Sequence, residues 1–434
     1  MPARMVFADE GGRVYDHPEL ALAGFDGEDV VAPEPEDLIP LPPGSKLFTL
    51  PGSRAVGLSP ETGEALLADS PGPSPPLAAA AFPAPGYART LLPAAHYEGE
   101  GKRPPLPLWP YTACGFEEEG GFVVAAIRVD ESARWEPERY DDTSLPELVR
   151  ERLAASPRNR LLKHLSRCAL DYHCFAAKNL FLGRWEVGLP VAPLCNADCR
   201  GCLSFQPAGE FPASHERIDF VPTAEELAEV AVPHLERAEF ALASFGQGCE
   251  GEPLLQARQV ERAVRLMREA TPRGTVHLNT NGSRPEWIPR LAAAGLDSVR
   301  VSLNSAQPEL YRRYYRPAEY GFGEVRETIA RAVGAGLYTS LNYFVFPGVS
   351  DREEELEALL RLAGETGFHL LQLRNLSIDP GLYLRSMPRP RGRLLGVRRW
   401  VDGLRRELPG VALGYFNRPK EEWRVHPSAS LPPR

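Results

Sequence analysis

Glu186-Val-Gly-Leu-Pro-Val-Ala-Pro-Leu-Cys195-Asn-Ala-Asp-Cys199-Arg-Gly-Cys202 is the stretch on which the fold turns. Its first half, 186–193, is a short, largely apolar run that ends at Pro193, the pattern of a buried strand. Its second half places a C-x3-C-x2-C array on the loop just past that strand's carboxyl end. Downstream, strand-like runs recur at 239–246, 275–282, 298–305, 339–346 and 369–376. Amphipathic helical runs separate them at 223–236, 255–270, 285–294, 308–315 with 323–335, and 351–365. Thr223 with Glu226 three residues on reads as a capping box, and Gly295, Gly336 and Gly367 read as helix ends. Six strands joined by right-handed helical crossovers give an α/β protein with a parallel sheet, either doubly wound or curled into a partial (βα)6 TIM-like barrel. Either way, ligands belong at the carboxyl ends of the strands, where the cysteines fall.

Three thiolates on one short loop can hold three irons of a cubane and leave the fourth without a protein ligand. A zinc site is the alternative, but zinc wants a fourth donor nearby. The closest histidine, His215, lies 13 residues beyond Cys202.

The C-x3-C-x2-C loop after a first strand resembles the signature of the radical S-adenosylmethionine (SAM) superfamily. The resemblance implies that Cys195, Cys199 and Cys202 carry a [4Fe–4S] cluster whose open iron chelates SAM. Reductive cleavage would then give methionine and a 5′-deoxyadenosyl radical that abstracts hydrogen from substrate; the protein positions this chemistry. A second motif, Gly246-Gln-Gly-Cys-Glu-Gly251-Glu252-Pro253, follows the second strand and resembles the family's G-G-E-P segment. It implies that Gly251, Glu252 and Pro253 meet the methionyl ammonium, since glycine permits close backbone approach and a carboxylate suits an ammonium. By the same resemblance, Asn279 and Asn281 at the third strand end and Ser302 and Asn304 on the fourth bind ribose hydroxyls and the SAM carboxylate. The backbone of Leu373 on the sixth strand meets adenine, and Arg374 serves substrate or SAM. In many members an aromatic residue precedes the third cysteine; here it is Gly201, so the adenine contact has to come from elsewhere. Ser350 and Asp351 read as caps of the following helix.

Seven cysteines, an odd number in a long chain, disfavour a disulfide framework. Cys168, Cys174 and Cys114 are candidates for a second iron–sulfur cluster, against the simpler reading of buried thiols. On an unbroken helix Cys168 and Cys174 would not share a face. Cys249 abuts the G-E-P segment, where a thiol could relay or quench a radical or accept a methyl group.

Upstream, 1–144 is proline-rich, as in LADSPGPSPPL and GKRPPLPLWP, and reads as short strands and irregular coil, with 121–130 the clearest strand. A helical bridge over 145–183 follows, with Leu161, Leu162, Leu165, Ala169 and Leu170 near a 3.6 period. The strand–helix core occupies 184–380, and 381–434 is a helix and tail. The net charge of −9 opposes a globally basic surface, so the arginines at 389, 391, 393, 398 and 399 read as a solvated helix face. RNA as partner is thereby allowed but not indicated. With no apolar run of 18 residues and no signal-like start, the expectation is a cytoplasmic protein. The resemblance further implies a one-electron reductant such as ferredoxin or flavodoxin, oxygen sensitivity, and a substrate the sequence does not name. Two rivals stand beside it: a radical SAM methyltransferase or modifier of RNA or protein, and an electron-transfer iron–sulfur protein without SAM chemistry.

Overall fold

The computed structural model describes residues 2–69, 75–98, 104–206 and 211–423. Parts of the proline-rich stretches at 67–77 and 101–110, and the end of the C-terminal tail, lie outside the described residues. The amino-terminal region is an antiparallel β structure centred on Arg4–Ala8, which pairs with Val14–Ala21, Leu77–Phe82 and Cys114–Glu117. The expected strand at 121–130 is found as Gly121–Arg128, paired on one side with Cys114–Glu117. Most strands here run two to six residues, as suits a stretch whose prolines cannot donate to a ladder; Val14–Ala21, which carries Pro18, and Gly121–Arg128 reach eight.

Three helices then lead into the second region: α1 (Leu145–Ala155), α2 (Arg160–Leu170) and α3 (Phe175–Leu182). Helix α2 buries Leu161, Leu162, Leu165 and Ala169, whereas Leu170 is exposed at its end. The helical run breaks between α2 and α3, where His173 takes φ 51°.

The sheet that follows has parallel strands in strictly sequential order: Arg184–Gly188, Glu239–Phe245, Thr275–Thr280, Ser298–Leu303, Tyr338–Val345, Leu370–Asn375 and Ala412–Gly414. A doubly wound sheet reverses its order at a switch point; this one never does, so it curls in a single sense as a half-barrel. The helices that return the chain are α4 (Ala224–Arg237), α5 (Ala257–Ala270), α6 (Ile288–Ala294), α7 (Pro308–Tyr315), α8 (Phe322–Gly334) and α9 (Glu353–Thr366). Two more, α10 (Pro380–Ser386) and α11 (Val397–Glu407), precede the last strand. That seventh strand adds to the six expected ones; three residues ending in glycine carry no periodicity to announce it.

Alternation along the strands divides the sheet into two faces. Val276, Leu278, Val299, Val301, Leu341, Leu371 and Leu373 are fully buried in the core shared with the helices. The intervening positions, Ser244, His277, Asn279, Arg300, Asn342, Gln372 and Arg374, give the inner face a polar character.

The amino-terminal region seats on the carboxyl ends of the fifth and sixth strands. Asn375 accepts from the Arg89 amide at 2.8 Å and donates to the Tyr87 carbonyl at 2.9 Å. The Arg89 guanidinium donates to the carbonyls of Leu376 and Tyr111, at 2.8 and 3.1 Å, and lies over the Phe346 ring. Arg352 pairs with Glu28 and Arg398 with Asp37, both at 2.5 Å. At Gly27 and Gly348, both with positive φ, the two backbones touch; a Cβ on Gly27 would come within 2.5 Å of the Gly348 Cα. The buried Asp130 carboxylate fastens the last strand's exit, accepting from the amides of Tyr415 and Phe416 and from Arg418.

Candidate active site at the mouth of the half-barrel

The cysteine loop leaves the first strand and is held on both sides. Toward the second strand, the Gly251 amide donates to the Ala192 carbonyl at 2.6 Å and the Glu252 amide to the Leu194 carbonyl at 2.9 Å. The approach is so close that a Cβ on Gly251 would stand 1.9 Å from the Leu194 oxygen. Glu250 adds a clamp: its carboxylate accepts from the amides of Val191 and Ala192 in one loop and of Gly246 and Gln247 in the other, at 2.7 to 3.0 Å. Burial pushes its carboxyl up to about 8, against the four amides that lower it.

On the other side the loop meets the end of α7. The amides of Asp198 and Arg200 donate to the carbonyls of Tyr315 and Tyr314, each at 3.1 Å, and Arg316 pairs with Asp198 at 2.9 Å. The Tyr314 hydroxyl lies where a side chain at 201 would begin, 2.8 Å from the position of a Cβ. Gly201 is thus the residue that lets an aromatic from α7 stand beside the third cysteine. The third strand contributes as well: Asn281 donates to the Asn196 side chain at 2.9 Å.

Cys195, Cys199 and Cys202 are half-buried on this loop. Arg217 donates to the Cys202 sulfur at 3.3 Å and to the Ser204 hydroxyl at 3.2 Å, bringing a positive charge to a site of thiolates. Burial, and then the charge of Glu252, push Cys195 up to about 11; burial and the neighbouring thiols push Cys199 well above its ordinary value. Without metal these two thiols stay protonated at neutral pH, and metal binding releases their protons. Three sulfur donors, a nearby cation and a loop fixed from three directions suit a cubane with one open iron.

The residues expected to bind SAM lie on the surrounding strand ends. Glu252 is buried and accepts from the Thr280 hydroxyl at 2.6 Å, the Asn281 amide at 2.7 Å and the Leu254 amide at 2.9 Å. Burial pushes its carboxyl up to about 7, opposed first by the Asn281 amide. A carboxylate has about four acceptor positions, so one remains. Pro253 opens the short helical turn that follows. Asn279 is engaged by His277 and by the Phe245 carbonyl, and Ser302 accepts from Asn342 at 3.4 Å. Asn304 is fully buried, donating to the Leu310 carbonyl and the Tyr383 hydroxyl, and its own oxygen has no partner among the described residues. The Leu373 side chain is in the core. Asp351 accepts from the Gly348 amide at 2.7 Å and Ser350 from the Phe346 amide at 2.8 Å. Both close the turn before α9, whose N-cap is Arg352 with no side-chain cap, so the expected capping role is displaced by one turn.

Sequence reasoning missed a polar network across the inner face. Arg300 donates to Gln372, Gln372 to Asn417, and Asn417 to Glu186, which also accepts from Ser244. Burial, then the neighbouring Arg374, lower Arg300 to about 9. Burial and Arg300 lower His277 to about 3, so that imidazole is neutral. These residues come from strands far apart in the chain, and no local spacing joins them. Glu250 and Arg217 escaped for the same reason.

The other cysteines divide. Cys114 packs in the amino-terminal β core with Val6, Ala81 and Val124, away from the core that holds Cys168, so the expected trio of Cys114, Cys168 and Cys174 is not assembled. Cys249 instead lies beside Cys168, whose thiol is lowered to about 5 by that neighbour and then by His164.

A sequential parallel half-barrel with a three-cysteine loop at its mouth defines a class of enzyme. Residues 189–363 match the family model described as the radical SAM superfamily, so this stretch of the chain is a radical SAM domain. Enzymes built on that domain use a [4Fe–4S] cluster and SAM and generally need a reductant and a substrate. Among curated relatives the chain is 28% identical over 228 residues to the FeMo cofactor biosynthesis protein NifB of Klebsiella pneumoniae, covering 49% of this chain and 44% of that one. It is also 28% identical over 235 residues to a probable GTP 3′,8-cyclase of Aeropyrum pernix, covering 52% and 59% respectively. The chain thus spans about half the length of the curated relatives it matches. Among solved structures, a radical SAM methyltransferase from Sphaerobacter thermophilus aligns with a TM-score of 0.38 and 21% identity over 52% of this chain and 64% of that one. No helix among the described residues is long and apolar enough to cross a membrane.

Proposed function

We propose that Cys195, Cys199 and Cys202 hold the [4Fe–4S] cluster of a (βα)6 core spanning 184–380, and that SAM binds beside it. The methionyl ammonium meets the backbone of Gly251 and Pro253 and the open acceptor position of Glu252. Asn279, Asn281, Ser302 and Asn304 serve the ribose and the carboxylate, and the Leu373 backbone serves adenine. The cluster and SAM together supply a 5′-deoxyadenosyl radical when an electron is delivered, from a donor such as ferredoxin or flavodoxin in a reducing cytoplasm.

What supports this above all is that Gly251 and the Glu250 clamp lock the G-E-P loop against the cysteine loop, with 1.9 Å left for any Cβ. Such contact fixes the cluster loop and the ammonium subsite in one piece, and pre-organisation of that kind is what positioning of a reactive cofactor requires. The substrate lies over the inner face, where Arg300 and Arg374 place two guanidiniums with Glu186 as the nearby carboxylate. A substrate bearing a carboxylate or phosphate answers that excess of positive charge.

The test is anaerobic reconstitution of wild type and Cys199→Ala, with iron content and dithionite-driven conversion of SAM to 5′-deoxyadenosine followed together. Cys199→Ala is expected to lose the cluster and all cleavage. Wild-type cleavage by that variant removes the assignment, and iron bound without any cleavage in wild type turns the protein into an electron carrier.

A further inference from the structure

Three cysteines outside the active-site loop are drawn together from separate segments. Cys168 ends the buried face of α2, Cys174 is the N-cap of α3, and Cys249 lies in the loop after the second strand. The break at His173 brings the first two together, with the Cys174 amide donating to the Cys168 carbonyl at 3.0 Å. Cys249 completes the set, its thiol standing beside that of Cys168. Two imidazoles adjoin. His164 Nε2 is 3.6 Å from the Cys168 sulfur. His215 has its Nε2 buried and without a hydrogen-bond partner among the described residues, against Gly248, where a Cβ would be 3.5 Å away.

All of these cysteines are free. Gathering thiols and an unpartnered imbedded imidazole nitrogen costs solvation that weak sulfur hydrogen bonds do not return. A bound metal centre returns it. Among the described residues no three of these donors converge on a single ion, but neither do Cys195, Cys199 and Cys202. A cubane takes its ligands at separate corners and asks for a wider spread than zinc does.

The place adjoins the active site. Cys249 precedes the Glu250 clamp, its carbonyl accepts from the Ile218 amide at 2.9 Å, and Arg217 next to Ile218 touches Cys202. Cys174 is exposed. We infer that Cys168, Cys174 and Cys249, with His215 Nε2 as fourth donor, hold a second iron–sulfur cluster between the protein surface and the active-site loop. His164 then serves as a positioning residue that hydrogen-bonds the Cys168 sulfur.

The inference rests on the assignment of the first cluster to Cys195, Cys199 and Cys202, and the test separates the two. Full-length protein is reconstituted anaerobically with iron and sulfide as wild type, as the triple variant Cys195→Ala/Cys199→Ala/Cys202→Ala, and as Cys168→Ser/Cys174→Ser. Iron, sulfide and zinc are counted, and the reduced cluster signals are recorded by electron paramagnetic resonance. Wild type is expected to hold about eight irons and each variant about four. A triple variant without iron, beside a double variant that keeps the wild-type content, overturns the second cluster and leaves the first intact. A triple variant with unchanged iron, beside a double variant that loses about half, overturns the first assignment and keeps the second. One zinc per chain that is lost in Cys168→Ser/Cys174→Ser overturns the iron–sulfur class. His215→Ala should keep the iron but move the resonance of the cluster that survives in the triple variant; an unmoved spectrum removes His215 from the ligand set. Circular dichroism of Cys174→Ser alone, at an exposed cap, verifies that iron is lost from a folded chain.

Discussion

Glu252 is asked to do two things with one carboxylate: close the turn after the second strand and receive the SAM ammonium. Its raised value gives a signed expectation. Below about 7 the buried group is protonated and offers the ammonium no charge, so SAM affinity of the cluster-loaded protein should rise as pH passes through that value. Glu252→Gln should flatten the rise and weaken binding by about 1.5–3 kcal/mol, measured by isothermal titration calorimetry across pH 6 to 8. An unchanged profile in the variant would take the ammonium away from Glu252. Gly251→Ala is the harsher change, because the added methyl meets a backbone oxygen and not a side chain that can turn away. It should destabilise the protein by more than about 1 kcal/mol and prevent cluster loading, seen as a lower denaturation midpoint and absent iron. At this scale the sequence was legible where chemistry sits in a short window, as in the three cysteines and Gly251-Glu252-Pro253. It was silent on Arg217, Glu250 and Tyr314, whose identities are ordinary and whose roles come from loops meeting in space.

Helices and strands were readable wherever periodicity ran long enough. The capping box of Thr223 and Glu226 opens α4, and Gly295 and Gly367 end α6 and α9 in the left-handed region. The break between α2 and α3 was not readable, because a positive φ at His173 leaves no mark in a sequence that continues to look helical. Nor was the strand Ala412–Gly414, too short to alternate. What holds that strand's exit is Asp130, a fully buried carboxylate shared by two amides and Arg418. Asp130→Ala leaves those donors without their acceptor and should cost about 3 kcal/mol or more by chemical denaturation. Protease cleavage near 412–418 should appear well before global unfolding; a variant as resistant as wild type would mean the strand is held by its ladder alone.

Across the whole molecule, the amino-terminal β region was the least foreseen part, since proline-rich sequence marks short strands without saying what they lie against. It lies against the mouth of the half-barrel, through Arg89 above all. That guanidinium is buried and held at the Leu376 and Tyr111 carbonyls, and burial lowers it to about 9. Arg89→Ala should destabilise by about 1–3 kcal/mol for the carbonyls left unpaired. Because the contact covers the end of the sixth strand, the loaded variant should also bleach faster in air than wild type. Equal bleaching rates with the stability loss present would mean that the amino-terminal region supports the barrel without shielding it.

Gly27 and Gly348 have one more consequence. Each occupies a left-handed conformation, and each leaves the other no room for a side chain. A mutation at one cannot be repaired by a smaller residue at the other, because no smaller residue exists. The seam is therefore a mutual lock on sequence drift: the two regions must be inherited as a matched pair, and a half-barrel borrowed from elsewhere could accept this amino-terminal partner only if its fifth strand already ended in such a glycine.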